Sequence, residues 1–154
     1  MIFVYILTPL LVIVIILYIL IKKAEKKLIS QTKEMLGHYG NFNDDNQSLI
    51  INNDTFKVVF YKVPSHAKFT INSPKIWEIR THSNQKIMNV SNLLSGSEKK
   101  LIIIYPNNSR IKRYINENEM VFIDDTFFLN MYMITIDKLE PFLATLKGDD
   151  TIGV

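Results

Sequence analysis

Hydrophobic positions fill the start of the chain without a break. Residues 1–21, MIFVYILTPLLVIVIILYILI, hold no charged side chain, and Lys22, Lys23, Lys26 and Lys27 follow at once. About 20 apolar residues let a helix cross a bilayer core roughly 30 Å thick. A cleaved signal peptide would need a basic start and a shorter apolar region ending in small residues. No Lys or Arg precedes this run, and the nearby Ala24 sits inside the lysine cluster. The pattern predicts a single transmembrane helix over 1–21. Lysines beside a span stay on the cytoplasmic side, so the N-terminus is expected outside and the rest of the chain in the cytosol. Thr8 and Pro9 read as a tolerated kink, with Tyr5 and Tyr18 near the two interfaces. No GxxxG gives a reason for tight helix pairing, and no ionisable group sits mid-span to support transport.

From residue 22 the pattern changes period. Ala24, Leu28, Thr32, Met35, Leu36 and Tyr39 recur at helical spacing with lysines between them, which predicts a basic amphipathic juxtamembrane helix over 22–40. It is expected to end at Gly37 or Gly40 and to pack its stripe on the domain, the alternative being the membrane surface. Residues 41–48 read as a polar loop. Leu49–Ile51 and Thr55–Val63 are β-rich runs around Asn52-Asn53-Asp54, the signature of an antiparallel hairpin. A short extended piece over 69–71 and a strand over Lys75–Thr81 follow. In that strand Trp77 and Ile79 share one face, and Ile76, Glu78 and Arg80 the other. Val90–Leu94 reads as one or two helical turns capped by Ser91. Leu101–Tyr105 (LIIIY) reads as a strand covered on both faces. Ser109 is placed to cap a short helix over 110–118, in which Ile111, Tyr114 and Ile115 share a side. Met120–Ile123 reads as a short strand, and after an Asp124-Asp125 turn Phe127–Ile136 contains a last strand, clearest at Met131–Ile136. Asp137 and Glu140 have capping-box spacing before a final helix through Lys147, with Pro141 in its first turn.

These elements predict an N-terminal transmembrane helix followed by a small α/β (α+β) domain with a mixed central sheet and a leading antiparallel hairpin. The expected divisions are an anchor over 1–21, the juxtamembrane helix over 22–40, a cytosolic domain over 41–147 and a tail over 148–154. No internal repeat or long Gly/Ser/Pro linker interrupts them.

Charge and composition change this picture in two places. The net charge is +3, but residues 22–33 alone hold five lysines and one glutamate, so the chain beyond them carries −1. The basic character is juxtamembrane and suits anionic headgroups at Lys22, Lys23, Lys26 and Lys27; it does not mark a nucleic-acid surface. The chain has no cysteine, which excludes disulfides, thiol nucleophiles and cysteine zinc sites.

Candidate chemistry is sparse. His38, His66 and His82 share no metal-ligand spacing. Asp44-Asp45, Asp124-Asp125 and Asp149-Asp150 are explained by turn chemistry. Lys99, Lys100, Arg110, Lys112 and Arg113 form a basic cluster that could meet phosphate at the start of a 110–118 helix; the plainer explanation is a solvated helix face. Phe56, Phe60, Tyr61, Trp77 and Tyr105 read as core residues, and an exposed cluster among them would mark a partner site. No Walker loop, GxGxxG, GxSxG or HExxH occurs.

Glu78 and Arg80 lie two apart on one strand face behind a hairpin, with Asp54 at the hairpin turn. This arrangement resembles a degraded PD-(D/E)XK core, the restriction-endonuclease-like fold. The resemblance implies a metal-dependent nuclease in which Asp54 and Glu78 bind Mg²⁺ and Arg80 steadies phosphate charge. Arginine stays protonated and cannot replace the family lysine as a base, and Asp54 lacks the preceding Pro-Asp. The plainer explanation is a same-strand ion pair on a solvated face. The sequence therefore favours a membrane-anchored, non-enzymatic module without a cofactor. Its expected partners are the bilayer and a protein or its own copies, with nucleic acid disfavoured. A membrane-tethered nuclease, active or not, is the alternative.

Overall fold

The computed structural model describes residues 2–106, 111–115, 119–123 and 126–148. Within helix α1 (Ile2–Tyr39) the side chains are described at Leu7 and from Pro9 onward. The chain forms two compact units that meet between Glu34 and Met35, inside α1.

In the first unit α1 runs without a break through the apolar stretch and into the lysine-rich one. Among the described residues no helix is long and apolar enough to cross a membrane. The single-pass anchor read from the sequence is corrected accordingly. The orientation built on it, N-terminus outside and domain in the cytosol, falls with it.

The second unit is an α+β domain with two mixed sheets rather than one. The last turns of α1 enter it through Met35, Leu36 and Tyr39. Gly40 ends the helix, its N–H donating to the Leu36 carbonyl at 3.0 Å. A Cβ at Gly40 would collide with the Ile50 carbonyl oxygen and the Ile51 side chain, so only glycine lets the chain turn this close to the next strands.

The first sheet contains β1 (Asn41–Asn43), β2 (Ser48–Ile51), β3 (Asp54–Val63), β7 (Lys99–Pro106) and β10 (Met131–Thr135), hydrogen-bonded in that order. The predicted hairpin is β2–β3. Asn52 and Asn53 both have positive φ, 48° and 72°, the tight-turn geometry asparagine tolerates. β3, β7 and β10 run parallel. β7 is covered on both faces as its continuous apolar run requires: Leu101 and Ile103 enter one core, Ile102 and Ile104 the other.

Parallel neighbours need long crossovers, and here the crossovers build the second sheet. β4 (Lys68–Ile71), β5 (Ile76–Arg80) and β6 (Gln85–Asn89) lie between β3 and β7; β8 (Ile111–Tyr114) and β9 (Met120–Ile123) lie between β7 and β10. They pair in the order β6-β5-β4-β8-β9. One core joins Ile102, Ile104 and Met133 of the first sheet to Phe69, Trp77 and Ile111 of the second. The opposite face of the first sheet holds Phe56, Val58 and Ile134 against Leu36 and helix α2 (Leu139–Lys147). The layers are sheet, sheet, helices.

Several local expectations are corrected. Residues 41–43 form an edge strand within the expected loop. The segment 111–114 is strand β8, not part of a 110–118 helix, because it pairs with β4 on one side and β9 on the other. Ser109, Arg110 and residues 116–118, 124–125 and 149–154 lie outside the described residues, with the cap, acidic-turn and tail readings placed there. Strand β6 precedes the turn at 90–94, which Leu94 N–H closes onto the Val90 carbonyl at 3.1 Å. Ser91 is not its cap; Asn89 Oδ1 accepts from the Ser91 N–H at 3.0 Å and from its hydroxyl at 2.7 Å. A 3₁₀ turn, Ile136–Lys138, leads into α2 without the capping box, since neither Thr135 nor Lys138 makes a side-chain cap bond. Gly148 closes α2 in the left-handed conformation, φ 81°.

Candidate functional site

β5 alternates as its sequence requires. Trp77 and Ile79 point into the core, while Glu78 and Arg80 point away from it. The Arg80 Nε donates to Glu78 Oε1 at 3.0 Å, and Nη2 lies 2.9 Å from the same oxygen. The other carboxylate oxygen accepts from Asn72 Nδ2 at 3.2 Å. The Glu78 side chain is only 14% exposed, that of Arg80 57%. The pair is fixed by geometry, with both carboxylate oxygens engaged.

Asp54 is elsewhere. It opens β3 in the first sheet and accepts from Lys99 Nζ at 2.6 Å. The fold brings Glu78 and Arg80 together and does not bring Asp54 to them. Among the described residues no group of three His, Cys, Asp or Glu could hold a metal ion. His38, His66 and His82 are exposed in separate elements. Asp45 belongs to a turn in which its N–H donates to Asn43 Oδ1 at 2.9 Å.

The basic cluster is dispersed as well. Lys100 is buried on β7, and its ammonium donates to the Glu98 carbonyl at 3.0 Å and the Gly96 carbonyl at 3.4 Å. Lys112 and Arg113 are adjacent on a strand and so face opposite ways. Lys112 lies over the Phe122 ring, 5.0 Å from its centre, and Arg113 over Phe128 at 4.9 Å. Among the described residues the predicted phosphate site at a helix start is not formed, since Ile111–Tyr114 is strand.

The pairing registers give Glu78 its surroundings. One row crosses the second sheet on its outer face: Ile87 on β6, Glu78 on β5, Thr70 on β4, Lys112 on β8 and Phe122 on β9. A neighbouring row carries Lys68 beside Arg80, and Tyr114 faces Met120 on β8–β9. Ile87 is 62% exposed and Phe122 53%; Ile76, Tyr114 and Met120 are also exposed. Among the described residues of the domain, no helix or strand packs on this face. It carries apolar and aromatic side chains toward its edges and Lys68, Arg80, Lys112 and Glu78 between them, an excess of positive charge. The aromatic residues singled out in the sequence do not contribute to it: Phe56 and Trp77 are buried, and Phe60, Tyr61 and Tyr105 are half-buried. Trp77 packs edge-on against Tyr61 and Phe69.

Sequence reasoning found Glu78 and Arg80 as a strand-face pair but missed Ile87, Met120 and Phe122 as their neighbours. Neither segment signals a face by alternation: residues 120–123 (MVFI) are apolar throughout, and residues 85–89 (QKIMN) mix polar and apolar types on both faces.

No family model, curated protein or solved structure matches the chain.

Proposed function

We propose that the domain is a non-enzymatic protein-interaction module whose partner docks on the outer face of the second sheet. The observation that carries this reading is the uncovered row from Ile87 to Phe122, with Tyr114 and Met120 beside it. Aromatic residues, methionine and arginine are the types enriched where protein interfaces are fully buried. The surplus of Lys68, Arg80 and Lys112 over Glu78 fits a partner with an acidic rim around an apolar patch. The test is co-purification of the full chain with its partner from the native cell. Arg80→Glu combined with Lys112→Glu should release the bound protein, while Glu140→Lys on α2 should retain it. Equal recovery with all three proteins would refute the docking face.

The nuclease alternative needs Asp54 and Glu78 on one Mg²⁺, and they belong to different sheets. Cleavage of DNA or RNA with Mg²⁺, abolished by Glu78→Gln, would revive it.

A second contact is favoured at α1. Its side chains from Leu10 to Ile21 are exposed on every side, a surface that water does not suit. Lys22, Lys23, Lys26 and Lys27 follow directly. Together these support lipid contact, with the lysines at anionic headgroups and no crossing implied. Flotation of the full chain with anionic but not neutral vesicles tests the lysine contribution; equal flotation with both removes it.

A further inference from the structure

Arg113 has no part in the docking face. It projects from the face of β8 opposite to Lys112, in register with Ile71 of β4 and Val121 of β9. Its guanidinium stacks over the buried Phe128 ring at 4.9 Å. Among the described residues no carboxylate pairs with it. The residue is half-buried, and a guanidinium over an aromatic ring keeps its N–H donors available to an anion.

The side chain borders a cleft of about 270 Å³. The β4–β5 turn contributes Ser73 and Pro74, the end of β8 contributes Tyr114 and Ile115, and Leu129 closes one side. The walls are thus mostly apolar, with a stacked guanidinium as the cation. A second cleft of about 260 Å³ continues past Pro74 and Leu129 toward Lys75 and Leu94. Leu129 sits on the ridge between the two with φ 48°, a left-handed conformation that bulky side chains rarely adopt.

We propose that this cleft binds a carboxylate carried on an apolar body, with the Arg113 fork taking the carboxylate and Leu129 and Pro74 holding the apolar part. The guanidinium presents paired donors in a plane that matches a carboxylate, and its contact with the Phe128 ring restrains the side chain before the ligand arrives. The volume lies just under the range for drug-sized ligands, which suits a small organic acid or one acidic side chain with its apolar neighbour. Arg113 lies on the side of β8 opposite to the docking face, and Tyr114 at the end of the strand borders both.

The test uses the full chain in mild detergent and ligand-observed NMR titration. The probes are 4-phenylbutanoate and its primary amide, and blocked leucyl-glutamyl-leucine with its glutaminyl counterpart. The acid should bind at least tenfold more tightly than the amide. Arg113→Gln should remove that preference, and Arg113→Lys should restore only part of it. Should Arg113→Gln fail to fold, Leu129→Asp decides. It lies in an exposed turn, aspartate accepts its φ, and its charge should weaken acid binding at least fivefold. Tighter binding of the glutamyl peptide than of 4-phenylbutanoate identifies a peptide site, and the reverse a small-acid site. Equal binding of acid and amide, binding of neither acid probe, or a preference unchanged in both Arg113→Gln and Leu129→Asp would overturn the proposal.

Discussion

Leu129 and Asn130 form the two-residue turn between Phe128 and Met131, both with positive φ. Asn130 suits the conformation, and its side-chain amide also donates to the Ser97 and Glu98 carbonyls at 3.0 and 2.9 Å. Leucine gains no local hydrogen bond there and holds an unfavourable backbone. Leu129→Asn should therefore stabilise the domain by about 1 kcal/mol, read as a higher urea midpoint. An unchanged or lower midpoint would mean that the Leu129 side chain contributes more than its strain costs. Tyr61 gives a second single-residue prediction. Its hydroxyl points at Met88 Sδ, 3.0 Å away, and burial raises its pKa above the usual 10. The raised value means that the folded protein holds this proton more tightly than the unfolded chain does. The contribution is complete below pH 10 and is lost as pH rises through the folded pKa. Wild-type stability should fall more steeply above pH 10 than that of Tyr61→Phe. Parallel curves would show that Tyr61 does not control this loss.

At the scale of elements, what was legible was what local chemistry decides. Asn52-Asn53 announced its hairpin, and LIIIY announced a strand buried on both faces. Trp77 and Ile79 against Glu78 and Arg80 announced the two sides of β5. What failed depended on distant partners. Ile111, Tyr114 and Ile115 have a spacing that a helix could use, but pairing with β4 and β9 makes the segment a strand. β6 was missed because its outward residues, Gln85, Ile87 and Asn89, carry no alternation of polarity. The candidate site divides in the same way. The Glu78–Arg80 pair follows from strand period alone, whereas Arg113 over Phe128 joins two segments that only the tertiary fold brings together. Helix α1 differs again, since its apolar run was legible while the anchor drawn from it is not supported by the described residues. Its exposed side chains carry their own prediction. Replacing Ile13, Ile16, Leu17 and Leu20 with glutamine should abolish vesicle flotation and any self-association of the full chain. The domain's unfolding midpoint should stay within about 0.5 kcal/mol equivalent, as for surface changes. Retained flotation would place the lipid contact outside α1.

For the domain as a whole, two parallel crossovers supply a complete second sheet. The first sheet is thus covered on both sides: by α2 and the end of α1 on one, by the second sheet on the other. The second sheet is covered on one side only. A sheet in this position is ordinarily polar on its free face; this one places Ile76, Ile87, Tyr114, Met120 and Phe122 there. This exposure is the observation on which the proposed docking face rests.

The most direct measurement is photo-crosslinking in the native cell from a diazirine side chain at position 122 or 87, with position 140 on α2 as control. A docking partner predicts one discrete adduct shared by 122 and 87, absent from 140 and lost when Arg80→Glu and Lys112→Glu are added. Adducts of the same kind from all three positions, or none from 122 and 87, would contradict a protein partner on this face.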